Sequence, residues 1–369
     1  MIGIKNLLKR FNYGMQPRLY ANVNKGVPGD FYNYEFRAFE IGRLDDYEIV
    51  NKLGQGKYAE VYEGVNLLTY DRVTIKFLRQ VGINKIAREI SILKTLTGHP
   101  SIPRFIDIVR DRITNTPALI IEYSIGEDFR ELYNQWGDFD VRYYMYEILK
   151  TLDYCHSKGV IHRDIKPHNI MFDHPKRKIR IIDWGLAEYY IHGHPYHVRV
   201  ASRYFKGPEL LVGHRYYNYS LDSWSLACMM AGIVFKKEPF FQGEDNEDQL
   251  MKIIAVLGSE ALGEYIAKHR VDIDRALEKK IVYQSKQSLN LFVTNENSHL
   301  ANPQAIDLLS KLFVYDHIDR LLPKEAMGHP YFDIVRKMWE DIENSVEIDE
   351  SEPYALTAKI IRQNKSHIH

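Results

Sequence analysis

Between Val160 and Met171 the chain reads Val-Ile-His162-Arg163-Asp164-Ile-Lys166-Pro-His168-Asn169-Ile-Met, and no other stretch restricts the fold as tightly. A charged loop is flanked by apolar, strand-like runs, so its ends must be pinned into a core while its middle faces a cleft. Asp164 and Asn169 stand five positions apart. A carboxylate to accept a proton and a side-chain oxygen to hold a metal ion, at that spacing, are the two groups needed to move a phosphoryl group onto a hydroxyl. Asp183-Trp184-Gly185 follows and supplies a second carboxylate suited to a metal. A His-Arg-Asp string also arises by chance, so its weight depends on its company.

That company lies upstream. Gly54-Gln55-Gly56-Lys57-Tyr58-Ala59-Glu60-Val61 separates strand-like Tyr47 to Leu53 from strand-like Val61 to Val65. Glycines at 54 and 56 let backbone amides approach phosphates with no Cβ in the way. Ala59 stands where a third glycine is usual, which costs flexibility at one position and leaves the cradle. Strand alternation over Val73 to Phe77 points Lys76 and Thr74 to one face, the cleft, and Ile75 and Phe77 to the other. A lone strand lysine is commonly a solvated edge residue. Here Glu89 follows within a segment whose Ile83, Ile86, Ile90, Leu93 and Leu96 repeat at helical spacing. That helix can present a carboxylate to hold the ammonium against a nucleotide's α- and β-phosphates.

Taken in order, these four segments resemble the signature set of the protein kinases. The resemblance implies an α+β, bilobal fold: a mostly β N-lobe with one regulatory helix and a mostly α C-lobe. The pattern divides as an N-terminal arm (1–46), an N-lobe (47–121), a hinge (122–127), a C-lobe (128–332) and a charged C-terminal tail (333–369). ATP would lie between the lobes on Leu53, Gly54, Gln55, Gly56, Lys57, Tyr58, Ala59, Glu60 and Val61. Thr74, Lys76 and Glu89 would add polar contacts, and Ile121, Met171 and Ile182 apolar walls. Glu122 would offer hinge backbone to the adenine edge.

Composition sets bounds on this reading. With 369 residues, 45% of them hydrophobic, the chain can bury a large core, and 49 basic residues balance 49 acidic ones, so no global field points to nucleic acid. Cys155 and Cys228 lie in apolar helix-like segments and read as small core residues. No apolar run reaches the length of a membrane span. The first 29 residues carry five cations and no acid, which suits a basic arm docking on the body and also a transit peptide lacking serine. The last residues carry many acids and are expected to form a solvated, partly disordered tail. A sharper alternative folds the tail into a basic substrate groove as a competitor.

Selectivity for substrate is expected after Asp183. His197-Val-Arg199-Val-Ala-Ser202-Arg203-Tyr-Phe-Lys206-Gly207-Pro208-Glu209 places three cations in eight residues, which favours acidic peptides. An exposed ion pair contributes only about 0.2–1 kcal/mol, so strong selection needs several acting together. This segment, with Gly54 to Gly64, Asp183 to Glu188 and Lys237-Glu238-Pro239-Phe240-Phe241, resembles the casein kinase II catalytic-subunit family from about Arg18 to Phe332.

That resemblance implies an acid-directed serine/threonine kinase using ATP or GTP with Mg²⁺, Mn²⁺ also serving. It further implies a regulatory beta subunit dimer giving an alpha2beta2 tetramer, and a nuclear and cytoplasmic location. By position, Asp164 is the catalytic base and Lys166 steadies the transferred group, while Asn169 and Asp183 bind metal. Arg199, Arg203 and Lys206 would meet the acid after the target, with Arg88 and His168 meeting acids further along. Glu209 would pair with Arg320, and the Trp184 indole would bond to backbone.

The segment from about Arg18 to Tyr34 would brace the activation loop and the Glu89 helix, giving constitutive activity. The loop also lacks threonine, and its one serine, Ser202, sits inside the peptide-binding signature. One departure concerns the family's lysine run before Glu89, reduced here to Lys85 and Arg88; weaker selection for acids three residues past the target follows. The outer face around Tyr62, Ile75 and Phe77 is a candidate surface for the beta subunit. An inactive scaffold, a proline-directed kinase and a small-molecule kinase remain as other readings.

Overall fold

The computed structural model describes residues 16–27, 40–56, 58–124 and 126–366. Alternating apolar residues build a six-stranded small-lobe sheet from β1 (Gly42–Arg43), β2 (Tyr47–Gln55), β3 (Ala59–Asn66), β4 (Arg72–Leu78), β5 (Phe105–Arg110) and β6 (Pro117–Glu122). Its order is β1-β5-β6-β4-β3-β2, antiparallel except where β1 joins β5. Val61 pairs with Lys76 and Thr74 with Ile121, which puts these four side chains on the cleft face. Tyr62 pairs with Ile75 and Glu60 with Phe77, so these face outward.

The register corrects two expectations. Glu60 stands on the outer face, where Lys52 Nζ donates to it at 2.8 Å and Arg79 pairs with its other oxygen, so its side chain is not part of the nucleotide cradle. The outer face itself is not bare: Ile75 is fully buried with Val73, Val109, Ala118 and Ile120, and Leu44 and Tyr47 pack over that cluster.

Helix α1 (Ile83–Thr95) lies behind the sheet. Its Ile86 and Ile90 meet Leu78, Ile108 and Leu119, while Ile92 and Leu93 reach the large-lobe core. Beyond the hinge come α2 (Phe129–Gln135), capped by Asp128, and the long α3 (Asp138–Ser157). Strand β7 (Val160–Ile161), the hairpin β8 (Ile170–Asp173) and β9 (Lys178–Ile181), and β10 (Glu188–Tyr189), which pairs with β7, carry the polar loops. A short α4 (Pro208–Leu211) precedes α5 (Ser220–Val234), every residue of which is buried. Cys155 on α3 and Cys228 on α5 are buried free thiols. Helices α6 (Asn246–Leu257), α7 (Glu260–His269), α8 (Arg275–Lys280), α9 (Pro303–Leu312) and α10 (Pro323–Met327) follow, with α6 packed on α4, α9 on α5 and α10 on α3. Among the described residues no helix is long and apolar enough to cross a membrane.

The tail is folded, against expectation. Helix α11 (Asp333–Glu343) buries Val335, Met338 and Ile342, and α12 (Ala355–Ser366) follows with Ala358 and Ile361 buried beside Tyr354. The Tyr354 ring lies tilted against Phe139 of α3, centroids 6.2 Å apart, and its hydroxyl donates to Asp341 at 2.6 Å. Asn364 reaches the carbonyl of Lys176. The acids dominate the composition, but apolar residues three and four apart make one face that closes on α3. The competitor arrangement is thereby excluded for the described tail.

Candidate active site

Apolar strands hold the charged loop between Val160 and Met171 at both ends, and one buried acid holds its middle. Asp222, at the start of α5, accepts from the backbone amides of His162 (2.9 Å) and Arg163 (2.8 Å) and from His156 Nε2 at 2.9 Å. Burial pushes the Asp222 carboxyl up, but these donors outweigh it and keep it ionised. Arg163 and Asp183 take left-handed backbone angles of φ 67° and 61°, an uncommon conformation that the surrounding bonds must maintain.

Asp164 is 5% exposed and fully engaged. Its Oδ2 accepts from Lys166 Nζ at 2.8 Å and Asn169 Nδ2 at 3.0 Å, and its Oδ1 from the backbone amide (2.8 Å) and hydroxyl (3.0 Å) of Ser202. Lys166 also donates to Ser202 Oγ at 2.8 Å. The catalytic loop and the peptide platform thus meet on one carboxylate.

Across the cleft, Lys76 Nζ lies 2.8 Å from Glu89 Oε1 and 2.8 Å from Asp183 Oδ1. Burial opposes the ammonium, yet the two carboxylates raise its pKa well above the usual lysine value, and Lys76 in turn holds Asp183 far below the usual carboxylate range. Gly185 makes this approach possible, since a Cβ there would sit 3.3 Å from Glu89 Oε2 and 3.4 Å from Asp183 Oδ1. Trp184 is buried, and its indole N–H donates to the Ile181 carbonyl at 3.0 Å, as the sequence leads one to expect.

The donor set fits a hard divalent cation. Asn169 spends Nδ2 on the backbone carbonyl and carboxylate of Asp164, which leaves its Oδ1 for metal. Asp183 uses Oδ1 for Lys76 and the Gly185 amide, and Oδ2 has no protein hydrogen bond among the described residues. Oxygen donors from an amide and a carboxylate suit Mg²⁺.

The nucleotide walls come from both lobes. Leu53, Gly54, Gln55, Gly56 and Tyr58 are exposed at the cleft mouth, and the Gly56 amide donates to the Ala59 carbonyl at 2.8 Å, closing the turn; Lys57 lies outside the described residues. Met171 and Ile182 are half-buried opposite Val61, and Gly126 lets the hinge settle on Met171, where a Cβ would come within 2.7 Å. Glu122 is turned from the pocket by Arg180, 2.6 Å away, and its amide is taken by the Arg104 carbonyl. Its side chain therefore braces the hinge.

The platform cations divide into two kinds. Arg199 and Arg203 are exposed beside Ser202. Lys206 is 8% exposed and donates to the Val200 carbonyl at 2.5 Å, and burial lowers its pKa. It shapes the platform from beneath. Arg88 likewise faces inward, on Glu188 (2.7 Å) and the Gly185 carbonyl (3.1 Å), with its side chain 15% exposed. Glu188 also takes Arg163 at 3.4 Å. His168 is exposed beside Phe129 and Arg130, and burial of its ring against them together with the Arg130 charge lowers its pKa.

Glu209 and Arg320 form the expected pair, bidentate at 2.8 and 2.9 Å with neither side chain exposed. The arm docks where it is described: Tyr20 and Leu19 pack on Tyr190, Tyr196 and Tyr219, and Asn24 Nδ2 donates to the carbonyls of Gly159 and Tyr190. Its contact with the Glu89 helix falls outside the described residues. Sequence reasoning missed Asp222 and the bonding role of Ser202. The only signal for Asp222 was a lone acid opening an otherwise apolar helix.

The protein kinase domain family model matches residues 47–332. The chain belongs to this family and is an enzyme that transfers phosphate, and protein kinase domains generally use ATP and Mg²⁺.

Proposed function

We propose that this chain is a serine/threonine kinase of the casein kinase II type, acting on hydroxyls followed by acidic residues. The observation that carries the reading is the junction of Asp164, Lys166 and Ser202, with Arg199 and Arg203 exposed beside it. A hydroxyl on a short side chain entering beside Asp164 brings its peptide backbone against the platform, and the residue that follows then meets the two guanidiniums.

Asp164 accepts the hydroxyl proton, and Lys166 neutralises charge on the group in transit. Lys76, oriented by Glu89, holds the α- and β-phosphates of ATP, or of GTP in the same cleft. Mg²⁺, held by Asn169 and Asp183, supplies charge neutralisation on the phosphates when bound. The rate advantage is positioning and electrostatics, since phosphoryl transfer leaves little covalent work for the protein.

With Arg88 tied to Glu188, Lys85 is the one exposed cation between residues 80 and 89, which supports weak selection for an acid three residues past the target. The docked arm at Tyr20 and Asn24 supports an activation segment held active without phosphorylation. A regulatory beta subunit would dock on the outer sheet at the half-buried Tyr62 and Phe77, beside the cluster around Ile75 that Leu44 and Tyr47 already cover. The test is phosphate transfer to peptides bearing acids one or three positions after serine, threonine or tyrosine, and to Ser-Pro peptides. Transfer to serine that depends most on the first acid supports the reading; equal transfer to Ser-Pro peptides, or transfer to tyrosine alone, removes it.

A further inference from the structure

Beneath the platform, three imidazoles converge that the catalytic machinery does not use. His269 ends α7, Asp316 and His317 follow α9, and His214 follows α4. The three rings lie 5.0 to 5.3 Å apart, centroid to centroid, and all four side chains are buried. One ligand atom each from His269, Asp316 and His317 lies within 4.8 Å of the others. His269 Nε2 already lies 3.0 Å from Asp316 Oδ1. Donors about 2.0–2.2 Å from one tetrahedral ion stand roughly 3.3 Å apart, so small side-chain shifts would close the set.

A second observation points to a ligand. His317 Nε2 and His214 Nε2 are buried with no hydrogen-bond partner, a costly state for an imidazole nitrogen. Tyr265, its hydroxyl 3.1 Å from His317 Nδ1, is placed as an outer partner that occupies this nitrogen and leaves the unpartnered Nε2 for the ion. Lys268, now on Asp316, is 52% exposed and already reaches Asp319 at 3.3 Å, so it can yield the carboxylate.

We propose that His269, Asp316 and His317, with His214 as the fourth donor, form a structural site for a transition metal of the Zn²⁺ class. Nitrogen donors with one carboxylate favour such an ion over Mg²⁺. It would clamp the end of α7 and the loop after α9 to the segment bearing Glu209, whose backbone carbonyl accepts from the His214 amide at 2.8 Å.

The test uses the full chain, stripped with chelator and saturated with Mg²⁺ and a non-hydrolysable ATP analogue. Zn²⁺ is titrated by calorimetry and Co²⁺ followed by its visible spectrum. The expected result is one equivalent bound, the intense absorption of four-coordinate Co²⁺, and a Zn²⁺-dependent rise in melting temperature. His269→Asn and His317→Gln should each weaken binding at least tenfold, while Asp183→Asn leaves it unchanged. Absence of binding at about 100 μM metal, an octahedral Co²⁺ spectrum, or undiminished binding in both histidine variants overturns the proposal. Should either variant fail to fold, the wild-type Co²⁺ spectrum decides.

Discussion

Two ion pairs in this molecule use the same chemistry for opposite ends. Lys76 pairs with Glu89 within the small lobe and reaches across the cleft to Asp183, which is 48% exposed, whereas Glu209 and Arg320 are sealed at 0% exposure in the large lobe. The cleft cluster shares one ammonium between two carboxylates and can be rearranged when phosphates and metal arrive. The sealed pair has every guanidinium branch satisfied, by Glu209 and by the carbonyls of Val314, Tyr315 and Ser220. Exposure, rather than the pair itself, separates a group that works from a group that holds.

Substitutions can break this contrast, the largest effect falling on the working side. Asp164→Asn keeps the side-chain size but turns an amide N–H₂ toward donors that the carboxylate accepts from, and removes the proton acceptor, so kcat should fall about 10²- to 10⁴-fold while the melting temperature falls far less in proportion. A comparable loss of stability would show Asp164 to be structural. Glu209→Ala leaves Arg320 charged and buried, and should cost about 3–5 kcal/mol in denaturant unfolding. Glu89→Ala should instead depress kcat/KM far more than it lowers the unfolding midpoint; the reverse order would erase the distinction drawn here.

Smaller effects sharpen it. Tyr354→Ala removes the aromatic contact that fastens the tail to Phe139 and should cost about 3 kcal/mol, read as a lower urea midpoint with turnover intact at low temperature. Unchanged stability would mean that the tail does not pack in solution. The smallest concerns Glu238, whose carboxyl burial pushes up from 4.5 to about 7. A raised carboxyl pKa means that the folded state keeps a proton the unfolded state loses, so stability falls as pH rises between 4.5 and about 7 and is level above. Glu238→Gln should flatten that slope and gain about 1–2 kcal/mol at pH 8, after allowance for residual solvent. An unaltered slope would assign it to other groups.

Much of the site was legible because its chemistry is local. Asp164, Lys166 and Asn169 share one short loop, Lys76 sits in a strand of period two, and Glu89 in a helix of period near four, so residue type and spacing together restrict their roles. Trp184 was legible because a buried indole N–H needs an acceptor, and the Glu209–Arg320 pair because the resemblance to the family carried it over by position. Orientation was less legible. Glu60 and Lys76 both lie near the glycine turn, yet register alone sends one outward and the other inward. Arg88 and Lys206 look like two more cations in a basic run until the partners Glu188 and the Val200 carbonyl claim them.

The tail shows the same limit from the other side. Its acids suggested solvation, and they do occupy water-facing positions, but Val335, Met338 and Ile342 needed a surface to bury against, and that surface belongs to α3, almost two hundred residues earlier in the chain. By itself the sequence determined the kinase class, the order of the lobes and the identity of the reacting groups, because these depend on local period and on residue chemistry. Only the tertiary structure decided which cations are free to meet a substrate, what anchors the catalytic loop through Asp222, and that three histidines distant in sequence share one buried site. Those outcomes depend on long-range register and burial, which set the cost of leaving a charge or an imidazole unpaired.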